Sequence, residues 1–227
     1  MHAIWIMLSN CTDPARDAEF NEWYNKMHIP DLTATPGILS GKRYKNMRPQ
    51  LAPDEPLYMA LYTVEWDDPW ALLRKVAQVD DLKRAAQGRM IDCLQARLLS
   101  AWQPLGVRRY ASAQLQKAGA GGGAPRALML VLANPAEGVS DSDFEKWFSS
   151  AYLPRLLKMP GAAWGERYRT LRPNRRPGDC KYMALLAVES KDPAGLLDKV
   201  AGAAPAKGPQ TDPLQVCYHS VFKHIGP

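Results

Sequence analysis

The stretch EFNEWYNKMHIPDLTATPG (residues 19–37) is written again 124 residues later as DFEKWFSSAYLPRLLKMPG (residues 143–161). The aromatic positions, both prolines and the closing glycine return in register, which marks an internal repeat. Outward from this phrase the match continues without a gap. GKRYKNMRP (41–49) pairs with GERYRTLRP (165–173), and YMALYTVEWDDPWALLRKVA (58–77) with YMALLAVESKDPAGLLDKVA (182–201). Further on the offset falls to 120, so that LSAWQPLG (99–106) meets HSVFKHIG (219–226). Between the copies lies SAQLQKAGAGGGAPR (112–126), a Gly/Ala-rich stretch with little to bury.

Each copy spells the same order of elements. AIWIMLS (3–9) is a short apolar run that predicts a buried strand. Residues 13–17 supply turn and cap chemistry before a helix that carries Phe20, Trp23, Tyr24, Met27 and His28 at helical spacing. Pro30 disturbs that helix near its end, and TPG stops it. ILSGKRYKNM (38–47) and LYMALYTVEW (57–66) read as two strands around a Pro-rich loop. DDP (67–69) opens a second helix, and ARLLSAW (96–102) closes the copy as a strand. The order predicts an α+β protein of two tandem ferredoxin-like (βαββαβ) units. The first would occupy 1–110, a linker 111–125, and the second 126–227. Strands such as YMALYTV are apolar on both faces, so one unit alone leaves a sheet face uncovered. Two sheets packed face to face, an intrachain dimeric α+β barrel, are the expected solution.

The totals narrow the function. A chain of 227 residues has room for two such units, and its apolar and charged fractions are ordinary for a globular protein. The N-terminal apolar run has no basic leader and reads as a strand, not a signal peptide. No apolar run reaches the roughly 18 residues of a membrane span. Cys11, Cys93, Cys180 and Cys217 are scattered without a CxxC pair, so reduced thiols, a cytoplasmic location and no metal cage are expected. The formal charge is +6, yet its basic groups sit in no nucleic-acid motif and no glycine-rich loop forms a phosphate cradle. The expected partner is a small anionic substrate, with no cofactor and no metal. Both a monomer and a homodimer of pseudo-dimers fit.

WYNKMHIPDL and the following PGI (residues 23–32 and 36–38), with this strand order, resemble the dimeric α+β barrel superfamily and its EthD-like branch, once per half. The resemblance implies a cavity between sheet and helices in each unit, usually worked without a bound cofactor. It does not choose a reaction, because members serve as polyketide cyclases, monooxygenases, isomerases and decarboxylases on one fold. The implied role is in bacterial breakdown of methoxylated aromatic acids. Hydrolysis of a methyl ester of a ring-cleavage product comes first, and isomerisation of a conjugated double bond needs the same parts. An EthD-like cyclase or cofactor-free monooxygenase, and a non-catalytic aromatic-acid binding protein, are the alternatives.

The repeat also serves as an internal control on the site. Arg43, Tyr44, Arg48 and Pro49 return as Arg167, Tyr168, Arg172 and Pro173, and Glu65 as Glu189. Such retention predicts a strand edge with Arg–Glu pairing, while Arg43 or Arg48 could also clamp a substrate carboxylate with its two-pronged donors. The first helix differs where chemistry would want it: Tyr24 becomes Phe148, His28 becomes Tyr152 and Asp31 becomes Arg155. Phe20, Tyr24 and His28 share one helix face. An imidazole moves protons near neutrality, and a phenol one turn away can donate to a developing oxyanion. His28, Tyr24 and Tyr62, the last replaced by Leu186, form the expected catalytic set in the first copy. Arg43, Arg48, Tyr58, Asp31 and Trp23 form the expected substrate-binding set, with Asp31 placed to orient the imidazole. The alternative is a buried histidine satisfied by a backbone carbonyl, with Tyr24 an ordinary core aromatic. Tyr58, Tyr62 and Trp66 alternate along one strand face. His219 is a candidate for a second cavity, His224 is expected at the surface, and Cys11 has no visible activating partner.

Overall fold

Apolar continuity at the N-terminus becomes β1 (His2–Cys11), buried from Ala3 to Asn10. A computed structural model describes residues 1–47, 55–113, 115–116, 125–172, 179–190, 192–193, 195 and 213–226. The chain divides into two units. The first comprises Met1–Gln103 with Leu171–Asn174 and Ile225–Pro227, and the second Pro104–Thr170 with Arg175–His224. Of the expected linker, residue 114 and residues 117–124 lie outside the described residues.

In the first unit, Asp13 accepts from the Ala15 N–H at 3.0 Å and caps a 3-10 turn (Pro14–Arg16). There follow α1 (Asp17–Trp23), one π-helical turn (Tyr24–His28) and α2 (Ile29–Thr33). The wide turn has a local cause. In a regular helix the Pro30 ring would strike the Lys26 carbonyl, and Pro30 has no N–H to give it. Bonding from Ile29 N–H back to the Tyr24 carbonyl relieves that conflict. The second copy does the same at Phe148–Tyr152, just before Pro154. The first unit continues with β2 (Ile38–Asn46), β3 (Tyr58–Glu65), α3 (Pro69–Lys75), α4 (Asp81–Ala86) and β4 (Leu94–Pro104). Asp68 caps α3 by accepting from Ala71 N–H at 2.9 Å, with Pro69 at the first position.

The second unit holds β5 (Arg109–Tyr110), β6 (Ala127–Pro135), α5 (Asp141–Trp147), α6 (Leu153–Leu157), β7 (Ala162–Thr170), β8 (Tyr182–Val188) and β9 (Leu214–Gly226). The helix expected after KDP (191–193) lies largely outside the described residues.

Strands in the first unit are ordered β4-β1-β3-β2, and in the second β9-β6-β8-β7-β5, with antiparallel pairing within each unit. The register repeats as well as the order. Trp5 faces Tyr62 in one unit, and Met129 faces Leu186 at the corresponding rung of the other. Irregularities fall at Leu8/Ser9 and again at Leu132/Ala133, at Ile38/Ser40 and again at Ala162/Trp164. The architecture is α+β on antiparallel sheet, with the repeat carried down to its bulges.

The first unit's core lies between helices and sheet, where Trp5, Met7, Phe20, Tyr24, Ile29 and Tyr62 are among the buried side chains. Trp66, expected beside Tyr62, is not there. β3 ends at Glu65, so the alternation stops, and Trp66 is 42% exposed. Its ring covers the turn at Gly37, where φ is +92° and an added Cβ would come within 2.5 Å of the indole.

Candidate active site

β2 carries Arg43 beneath α1, where the side chain is wholly buried. Its Nη1 donates to Asn21 Oδ1 at 2.8 Å and reaches weakly toward Asn25 Oδ1 at 3.5 Å. The guanidinium carbon lies 4.1 Å from the Tyr24 ring centre, 4.9 Å from Tyr58 and 5.4 Å from Phe20. Among the described residues, Nε and Nη2 have no hydrogen-bond partner and Arg43 makes no ion pair. These two nitrogens form the side-on edge of the fork, the edge that meets a carboxylate with two parallel bonds. Asp17, the nearby acid, is occupied elsewhere: the Tyr58 hydroxyl donates to it at 2.6 Å, and Lys45 stands 3.8 Å away. Burial pulls the Arg43 pKa down, but a guanidinium stays charged in a protein. A buried cation normally has an anion. Here it has rings, amides and two open N–H groups.

His28 closes the π-helical turn and is buried. Its ring stacks on Trp23 at 4.7 Å and meets Tyr24 edge-on at 4.8 Å. Nδ1 has no partner among the described residues, so the satisfied-histidine alternative does not hold at that atom. Burial pushes the pKa down to about 3, helped by the Arg84 and Arg43 charges and opposed by Asp31. The imidazole is therefore neutral across the physiological range. Across the site, the buried Tyr62 hydroxyl faces that of Tyr24. Burial raises the pKa of both phenols. The Tyr24 hydroxyl donates to Met7 Sδ at 3.3 Å. Tyr24 is the hub, its face under Arg43 and its ring against His28.

Other expected residues fall differently. Asp31 does not orient His28, because its carboxylate is held by both Nε and Nη2 of Arg89, the former at 2.9 Å. Trp23 covers the imidazole, and its indole N–H donates to the Arg89 carbonyl at 2.9 Å. The expected Arg–Glu pairing is not made by Arg43, which turns inward to Asn21, while Glu65 lies 3.7 Å from His2. Arg48 lies outside the described residues. Tyr58 points its hydroxyl to Asp17 and accepts from Asn21 Nδ2 at 2.9 Å, which ties α1 to β3. His219 sits opposite Val131 on β9, and His224 is half-buried rather than at the surface.

Three residues that shape the site escaped the sequence reading. Asn21 and Asn25 hold the guanidinium, and both change in the second copy, to Glu145 and Ser149. That difference, on the same helix face as His28, was a usable signal. Gly41 makes room for Tyr62: an added Cβ would lie 2.8 Å from its ring and 3.1 Å from Ile29. No signal in the sequence separates Gly41 from a turn glycine, since the second copy keeps it.

The second unit lacks these groups. Phe148 and Tyr152 stack at 5.4 Å where Tyr24 and His28 stand, and Leu186 replaces Tyr62. Glu145 accepts from the Tyr182 hydroxyl at 2.9 Å, and Arg167 Nη2 donates to the Leu105 carbonyl at 2.6 Å. The surface there opens into a groove of about 800 Å³ lined by residues including Asp141, Glu145, Lys146, Arg167 and Arg169.

No family model matches the chain, and no curated protein matches it. Solved structures do. An anthrone oxidase-like protein is 14% identical with a TM-score of 0.59, covering 99% of this chain and 91% of its own. A mutant chlorite dismutase from Candidatus Nitrospira defluvii is 9% identical with a TM-score of 0.56, covering 99% and 90%. At such identities the likeness is one of fold alone: the chain shares the α+β fold of these two proteins. Among the described residues no helix is long and apolar enough to cross a membrane, and no group of three or more His, Cys, Asp or Glu is placed to hold a metal ion.

Proposed function

We propose that the first unit is an enzyme site that takes a small unsaturated or aromatic-derived carboxylate and moves a proton at a carbon conjugated with its carboxyl or carbonyl group. One observation carries this reading. Arg43 Nε and Nη2 and His28 Nδ1 are buried without partners among the described residues, and together with the buried Tyr62 hydroxyl they surround Tyr24. Unpartnered buried polar groups cost about 1–3 kcal/mol each, so a cluster of them is retained for a ligand. The open edge of Arg43 fits the carboxylate. Tyr62 donates to the oxygen on which charge develops, and His28 takes and returns the proton.

The electrostatics couple binding to basicity. Burial chiefly keeps His28 neutral, and the Arg84 and Arg43 charges add to it. A carboxylate on Arg43 cancels the Arg43 share and raises the affinity of His28 for a proton as the substrate arrives. Deprotonation of the carbon needs no water beside His28 in the step itself, whereas ester hydrolysis does. Double-bond isomerisation is the simplest outcome, and cyclisation or cofactor-free oxygenation would begin with the same step. We also take the chain to be a tandem pair of ferredoxin-like copies, with chemistry kept in the first.

The test is proton exchange. Muconate-like acids and their methyl esters are incubated with the protein in D2O and followed by NMR and mass spectrometry. Deuterium should enter at the conjugated carbon, and His28→Ala should slow this about 100-fold or more. Ligand protection without exchange would make the protein a binder, and methanol release without exchange would make it an esterase.

A further inference from the structure

Cys11 ends β1 and Cys93 stands one residue before β4, the strand paired beside it. Their sulfurs are 3.3 Å apart. The backbone around them is already tied, since Thr12 N–H donates to the Cys93 carbonyl at 2.8 Å. Both are free thiols, Cys93 buried and Cys11 partly open to solvent. No catalytic role in the proposed site uses either one.

We propose that Cys11 and Cys93 form an oxidisable dithiol that closes to a disulfide on contact with a peroxide, independently of the chemistry at Arg43 and His28. A disulfide needs the sulfurs to close to about 2.05 Å, a small side-chain rotation from their present separation. Cys11, the more accessible thiol, meets the oxidant first. Its thiolate attacks one oxygen of the peroxide, giving a sulfenic acid and releasing the other oxygen, which takes up a proton as an alcohol or water. The Cys93 sulfur then attacks the Cys11 sulfur. The sulfenic hydroxyl leaves as water with the Cys93 proton, so two thiols and one peroxide yield a disulfide, an alcohol (or water) and water. The position gives the bond a consequence. Residues 87–93 join α4 to β4 and carry Arg89, which holds Asp31 and accepts from Trp23, and Asp92, which pairs with Arg16 at 2.7 Å. The disulfide would pin that segment to β1.

The experiment treats the reduced full chain with hydrogen peroxide, removes the excess with catalase, and alkylates under denaturing conditions before peptide mapping. The expected product joins the Cys11 peptide to the Cys93 peptide, loses two hydrogens in mass, and reverts with dithiothreitol. Cys93→Ser should leave Cys11 at the sulfenic stage, where dimedone labels it more strongly than in the wild type. Recovery of both cysteines as separate alkylated or sulfinic peptides, their pairing with Cys180 or Cys217 instead, or equal dimedone labelling of Cys11 in both proteins would overturn the proposal.

Discussion

Replacing His28 by phenylalanine should make the protein less sensitive to acid. A six-membered ring fits the position, since Tyr152 stacks there in the second copy. In the native protein the imidazole titrates at about 3, against 6.5 for an unhindered histidine. Between those values the unfolded chain holds one proton that the folded chain refuses. Stability from this group is therefore complete above pH 6.5 and falls as the pH drops toward 3. The slope is about 1.4 kcal/mol per pH unit, so by pH 4 the wild type has lost roughly 3 kcal/mol through this residue. Other carboxylates and histidines titrate in both proteins and cancel in the difference. The assay is urea unfolding of wild type and His28→Phe at several pH values from 7 to 4. The free-energy difference should move in favour of the variant as the pH falls. A difference that stays flat across the series would show that His28 is not buried as a neutral base, and the account of its basicity would fail with it.

Arg43→Met removes two unsatisfied donors, worth about 1–3 kcal/mol each, but loses stacking of about 2 kcal/mol and the bond to Asn21 of comparable size. Melting should move by no more than about 5 °C, while the thermal protection that benzoate, as a simple aromatic carboxylate, should give the wild type disappears; a fall of more than about 10 °C would make Arg43 a structural residue. Gly41→Ala pushes a methyl group into Tyr62 and should cost about 1–3 kcal/mol in unfolding experiments, with turnover falling as the hydroxyl is displaced. Tyr152→Phe should leave the rate of proton exchange unchanged, and a large loss there would place the chemistry in the other copy.

The order of elements was legible because its signals are local: an apolar run for β1, Asp and Pro at helix starts, glycine at their ends. The divergence of His28, Tyr24 and Tyr62 between copies was legible too, because each copy serves as the other's control. What escaped depends on distance across space or on where a strand ends. Nothing in the sequence says that Arg43 meets Asn21 instead of an acid, since that choice is made between β2 and α1. Asp31 was placed by its spacing from His28, but its partner is chosen across space, where Arg89 holds the carboxylate. Trp66 was placed by extending an alternation that ends one residue earlier.

The wide turn at Tyr24–His28 stores the site's geometry in its pitch. Letting the turn close to normal pitch with all its residues kept, as replacing Pro30 would allow, would swing α1 by roughly 100° relative to α2. Phe20 would then leave the sheet or His28 would. Most substitutions alter which groups line the site, but one that changes the pitch of this turn alters the angular phase between its two halves. The second copy has lost the imidazole and both phenols, yet keeps the same count and the same wide turn. Both copies share this phase and the proline that follows it, and the groups around Tyr24 in the first copy are set on that angle.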